Sequence, residues 1–377
     1  MKVAVFGGSG FLGYDFVRLA LKEGGVTPVV YSSSAKSLSN VARHEVDIRL
    51  YPSAEPASVT LDEDVDLLIN FSHPFERRDG ISGYTQVQRF ADFVGAARRH
   101  NPRLRLIHTS SMSVYEPFAP GHEFDERASL RAPRHDRYAR EKICAEQALL
   151  ALPDAASWQL HLRPTVVYGP FCGVWTDRIF EAFMAGDVDY RDLSGRIQPL
   201  YGEDLSRLLL GAVRNFRPGI YNVPGPETLR WQEFMGAFAA LVGHGRLRHR
   251  AEGGGAQTWI GFYTSNLREL LHAVRREPAF NRIALRIARH LPERSVLAIR
   301  DLLLGRGERA PRNVEARGSD EYMRAFFAED RLVSAAQVMR DFPDFKPRAL
   351  SACADDLGRY YRYRYSDDQF VEEPAHG

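Results

Sequence analysis

The chain has 377 residues, room for two or three domains at roughly 150 residues each. Its 50 Lys and Arg nearly cancel 48 Asp and Glu, leaving +2, so no basic excess marks it as a nucleic-acid binder. With 44% apolar and 26% charged residues, collagen-like and wholly disordered chains are excluded.

The N-terminus lacks the apolar core of a signal peptide, and Val3–Phe6 reads as a first strand. Glycines follow, then a helical segment over Phe11–Lys22. Val29–Tyr31 and Val65–Phe71 are further strands. Residues 84–99 carry Val87, Phe90, Phe93, Val94 and Ala97 at helical spacing. Leu104–Ile107 is a strand, Tyr138–Leu152 a helix and Trp158–Leu162 another strand. Short apolar strands between amphipathic helices predict an α/β fold, a doubly wound parallel sheet covered on both faces. Beyond it the chain reads as mostly helical, apart from a strand at Gly219–Val223. Residues 263–304 read as short helices rich in arginine, with loops at Gly253–Gly255 and Gly305–Pro311 and a disordered tail, Glu372–Gly377. No apolar run approaches the roughly 20 residues that span a bilayer. Cys144, Cys172 and Cys353 are far apart and form no Cys-x-x-Cys pair. Neither a disulfide framework nor a metal site is expected, and a reducing cytoplasm is the natural compartment.

The turn after the first strand carries Gly7, Gly10 and Gly13. Gly7 allows a tight turn, Gly10 clears space for a pyrophosphate, and Gly13 lets the helix approach the sheet. The free amides and positive end of that helix would face the phosphates, with Ser9, Phe11 and Leu12 alongside. The second strand runs into Ser32, Ser33 and, further on, Lys36, with no acid to bind an adenosine ribose. Hydroxyls and a cation there suit a 2′-phosphate, which favours NADP(H) over NAD(H).

Tyr138 and Lys142 stand at i and i+4, on one face of a helix. A phenol titrates near about 10, and a neighbouring ammonium favours its phenolate. Tyr138 is thereby a candidate acid and base for a carbonyl or hydroxyl oxygen. Ser111, just after the strand ending at Ile107, would hold the same oxygen from the crevice above the sheet.

These motifs together resemble the extended short-chain dehydrogenase/reductases, the NAD-dependent epimerase/dehydratase group. The resemblance rests on Gly7-x-x-Gly10-Phe11-x-Gly13, Ser111 four residues before Tyr115, Tyr138-x-x-x-Lys142, and Leu162–Pro170. Gly202–Leu205 and Gly219–Val223 add to it, and it covers about residues 1–235, with a weaker echo near 330–362. It implies a Rossmann domain over residues 1–170, rejoined by 198–224. A smaller, mostly helical substrate domain would span 171–197 and 225–370. It implies Ser111, Tyr138 and Lys142 as the catalytic set, Lys142 also holding the nicotinamide ribose. Asp47 and Ile48 would lie by the adenine, and Phe71, Ser72 and His73 by the ribose and phosphates. Pro164, Thr165 and Val167 would line the nicotinamide side. The family commonly has a small residue where His73 stands; this histidine either contacts substrate or hydrogen-bonds the loop before Pro74.

Two departures narrow the chemistry. Sugar-nucleotide 4,6-dehydratases of this family carry an Asp-Glu pair where Met112 and Ser113 stand here, so elimination of that type is disfavoured. An Arg that holds a substrate diphosphate falls near Arg196, so Arg196, Met112 and Ser111 are the expected substrate contacts. The reading is an NAD(P)-dependent epimerase or ketoreductase acting on a nucleotide sugar. A ketone reductase on a non-sugar molecule and a non-catalytic NADP sensor are the alternatives. The resemblance also implies a homodimer through the helices at 84–99 and 138–152.

Overall fold

The computed structural model describes residues 1–33, 40–51, 55–73, 83–115, 118, 121–133, 136–249 and 326–365. Lys36, the arginine-rich stretch 263–304, the two predicted glycine loops around it and the tail lie outside these residues.

Seven parallel strands form the central sheet: β1 (Lys2–Phe6), β2 (Thr27–Ser32), β3 (Asp47–Leu50), β4 (Val65–Asn70), β5 (Arg105–Thr109), β6 (Gln159–Pro164) and β7 (Gly219–Val223). Their order is β7-β6-β5-β4-β1-β2-β3. The order reverses between β1 and β4, and at such a switch point the crevice above the strand ends takes ligands. Val3, Ala4, Val5 and Phe6 are all fully buried, as a central parallel strand requires. Val3 and Val5 face one core; Ala4 and Phe6 face the other.

Helix α1 (Phe11–Glu23) and helix α4 (Gly202–Arg214) pack together and cover the first face. Helices α2 (Gly83–His100) and α3 (Arg137–Leu150) pack together and cover the second. Asp136 caps α3, its carboxylate accepting from the Ala139 amide at 2.9 Å.

A third core gathers Tyr168, Phe180, Trp231, Phe234 and Phe238 with Leu357 and Tyr360 from the last helix, Ala354–Tyr365. The C-terminal segment is tied back to the sheet layer. Arg348 Nε donates to Asp204 at 2.8 Å, in the first turn of α4, and Gln337 donates to the Ile220 carbonyl of β7 at 2.9 Å. No helix among the described residues is long and apolar enough to cross a membrane.

Candidate active site

The glycine turn is built as its spacing predicts. Gly7 has φ +76°, and a Cβ there would stand 2.8 Å from the Ser72 amide nitrogen. A Cβ on Gly13 would collide with the Gly7 carbonyl, so α1 can press against the turn only with glycine there. A Cβ on Gly10 would meet nothing nearer than the Gly7 oxygen at 3.4 Å, so Gly10 leaves open room over the first turn of α1. The amides of that turn have no partner within the helix and present its positive end to this space. These residues fit the pyrophosphate of a dinucleotide.

Around the turn, Ser9 Oγ lies 3.1 Å from Ser32 Oγ, joining the turn to the end of β2. Phe11 and Leu12 pack against the core of the first face. Ser33 is exposed just beyond β2. Asp47 and Ile48 lie on β3, where the Asp47 carboxylate is held by Arg49 at 2.7 Å.

Across the switch point, β5 ends at Thr109 and runs into Ser110 and Ser111. Ser111 caps the short turn Met112–Val114, its Oγ accepting from the Ser113 amide at 3.2 Å. From α3, Lys142 reaches back under this strand end. Its buried Nζ donates to the Thr109 carbonyl at 2.9 Å and lies 5.8 Å from the centre of the Tyr138 ring. Tyr138, one turn earlier, is 44% exposed toward solvent. Burial pulls the Lys142 pKa down to about 8, with Glu146 and Glu141 acting in the opposite direction. Tyr138 and Lys142 thus come together beside the strand end that carries Ser111.

A buried polar frame holds α3 in register. Arg163 on β6 donates through Nε to Glu146 at 3.1 Å, one turn beyond Lys142, and through Nη1 to the Tyr115 hydroxyl at 2.5 Å. Tyr115 in turn donates to Asn222 on β7 at 2.8 Å. Burial raises the Glu146 pKa, but the Arg163 hydrogen bond and the charges of Arg163 and His161 together outweigh it and hold the carboxyl below its ordinary range. The sequence names Tyr115, Arg163 and Asn222 only as family motif residues, and Glu146 carries no signal of its own, because only tertiary pairing decides that it is buried.

Phe71, Ser72 and His73 follow β4, and the Ser72 amide donates to Asn70 Oδ1 at 2.9 Å. Asn70 also contacts His108 Nδ1 at 3.1 Å, leaving His108 Nε2 without a partner. A cavity of about 60 Å³ lies here, lined by Asn70, Ser72, His73, His108 and Lys142 among others. Pro164 ends β6, Val167 is buried, and the Thr165 hydroxyl is bonded to the Gln198 carbonyl. Met112 is buried. Arg196 is gripped by Asp330, Nη2 to Oδ2 at 2.7 Å and Nε to Oδ1 at 3.1 Å, so a diphosphate bound there would displace that carboxylate.

His73 stands just after β4, in contact with α3. Its Nε2 lies 3.2 Å from Glu141 Oε2, and its ring centre is 5.0 Å from that of Tyr138. Glu141 drew no notice in the sequence, although it stands between Tyr138 and Lys142.

Comparison with curated proteins finds no matching sequence. Among solved structures, the Bordetella bronchiseptica enzyme WbmH in complex with NAD+ is 15% identical, with a TM-score of 0.61 over 96% of this chain and 99% of that one. A dTDP-glucose 4,6-dehydratase from Bacillus anthracis in complex with NAD is 18% identical, with a TM-score of 0.57 over 67% of this chain and 85% of that one. A UDP-glucose 4-epimerase from Thermus thermophilus in complex with NAD is 20% identical, with a TM-score of 0.55 over 66% and 86%. At such identities the likeness is one of fold. The model of the NAD dependent epimerase/dehydratase family matches residues 3–223, well over half of the chain, and with its glycine turn and Tyr138–Lys142 pair in place the chain belongs to that family.

Proposed function

We propose that this protein is an NAD(P)-dependent epimerase or ketoreductase acting at a secondary alcohol or ketone carbon of a nucleotide-linked sugar. The observation that carries the reading is the buried Lys142 ammonium, 2.9 Å from the Thr109 carbonyl and 5.8 Å from the centre of the exposed Tyr138 ring. A bound nicotinamide nucleotide supplies the hydride chemistry. The turn from Gly7 to Gly13 binds its pyrophosphate. Tyr138 holds the proton that joins or leaves the substrate oxygen, and Lys142 stabilises the phenolate form. Ser111 orients that oxygen by hydrogen bonding.

Nucleotide sugars enter this reading because the structural neighbours include a UDP-glucose 4-epimerase and a dTDP-glucose 4,6-dehydratase. Loss of water needs an acid and a base of its own. Met112 is a buried thioether and Ser113 belongs to the turn capped by Ser111, so neither supplies one. NADP(H) is part of the proposal because Ser32 and Ser33 end β2 with no carboxylate between them to repel a 2′-phosphate. A substrate lobe built on the third core, a cytoplasmic location and a homodimer through α2 and α3 belong to the same reading.

The test has two parts. Mass spectrometry of the purified protein identifies any copurifying nucleotide, and the protein is then incubated with UDP- and dTDP-linked sugars and NADP(H) or NAD(H). An epimer or a reduced sugar among the products supports the proposal. A dehydrated keto-sugar as the product overturns it in favour of elimination, and turnover of simple ketones alone overturns the sugar assignment.

A further inference from the structure

Glu141 stands three residues after Tyr138 and one before Lys142. On a helix, residues three apart are neighbours, so Glu141 shares a face with Tyr138. A negative charge there opposes the phenolate that Lys142 favours. The carboxylate is nearly buried, its side chain 2% exposed, so water does little to screen it.

Both of its oxygens are engaged. Oε1 accepts from Arg137 Nε at 2.7 Å, and Oε2 lies 3.2 Å from His73 Nε2. Arg137 belongs to the same helix, whereas His73 comes from a separate element, just after β4. The His73 ring is also tilted against the Tyr138 ring, with centres 5.0 Å apart and planes at 57°. Room for Glu141 comes from Gly83 at the start of α2, where a Cβ would overlap Oε1.

We propose that His73 is a positioning residue for Tyr138: from the end of β4 it occupies Glu141, so muting that charge, and it braces the phenol ring. The inference rests on the reading of Tyr138 as the proton carrier. Donation from Nε2 leaves Nδ1 as the acceptor nitrogen. Among the described residues, the charged and titratable groups facing the imidazole include Glu141, Arg137, Lys142 and Tyr138 from α3, and His108 from β5. Burial lowers the His73 pKa, Glu141 raises it, and Lys142 and Arg137 lower it further. His73 is therefore neutral at pH 7 and acts as a hydrogen-bond donor rather than as a cation.

The test reads Tyr138 directly and needs no substrate. Phenolate ultraviolet absorbance is titrated in the full-length protein with NAD added, and subtraction of the matching Tyr138→Phe variant isolates the Tyr138 midpoint. In His73→Ala the midpoint rises by a few tenths of a pH unit, a fraction of the roughly one unit or more that a full nearby charge carries. His73→Gln, which keeps a donor toward Glu141, recovers at least half of that rise. An unchanged midpoint in His73→Ala overturns the inference, and so does a rise that His73→Gln leaves in full. If His73→Ala does not fold, Glu141→Gln decides: loss of the charge lowers the midpoint, and no change overturns the inference. Retained turnover in Tyr138→Phe would instead sink the functional reading, which this titration does not measure.

Discussion

Replacing Lys142 by Met should cost the protein its activity and make it more stable at neutral pH. Burial lowers the lysine pKa from its ordinary 10.5 to about 8. At roughly 1.4 kcal/mol per pH unit, that displacement corresponds to a cost of about 3 kcal/mol for keeping the ammonium charged in the folded state. Methionine fills a similar volume without the charge. It also abandons the hydrogen bond to the Thr109 carbonyl, and an unsatisfied buried acceptor costs about 1–3 kcal/mol. The expected net gain at pH 7 is about 1 kcal/mol, a rise of roughly 1–2 °C in melting temperature. The pH dependence is the sharper signature. Between about 8 and 10.5 the unfolded lysine carries a proton that the folded one has released, so wild-type stability climbs relative to the variant as pH rises through that window. Thermal melts followed by circular dichroism at pH 7 and near pH 10, on protein stripped of nucleotide, measure both. A variant less stable than wild type at pH 7, or a difference that does not move against the variant with rising pH, refutes the argument.

Gly13→Ala forces a Cβ into the Gly7 carbonyl, so the turn must open; NAD affinity measured by calorimetry should fall at least about tenfold. Arg163→Met strands the fully buried Glu146 without its guanidinium, at a cost of about 3–5 kcal/mol in urea denaturation. Adding Glu146→Leu should restore at least half of that loss, since an apolar pair of similar size leaves no buried charge. A double variant as unstable as the single one would show that the ion pair is not what the first substitution broke.

The sheet was legible because its central strands are buried on both faces and leave unbroken apolar runs, such as Val3–Phe6. The edge strand β3 gives no such signal. Asp47 and Arg49 interrupt Ile48 and Leu50, and Leu50 is 58% exposed, so this four-residue segment lacks the apolar signature. The glycine turn could be read because each glycine answers a local steric demand. Tyr138 and Lys142 could be read because one helical turn joins them. What escaped was every contact made between distant segments. Glu141 looked like one more charged helical residue until His73 was found against it, and Glu146, Tyr115 and Asn222 revealed their shared frame only around Arg163. Arg196 stands where the resemblance implies a substrate cation, but its grip on Asp330 puts that role in competition with a carboxylate from a remote stretch of chain.

The most direct measurement compares turnover of nucleotide sugars by wild type and Tyr138→Phe, each checked for bound nucleotide by mass spectrometry. Loss of the phenolic proton should lower the rate by about 10²–10⁴-fold while nucleotide content stays the same. A Tyr138→Phe protein that keeps both its nucleotide and its full rate contradicts the account.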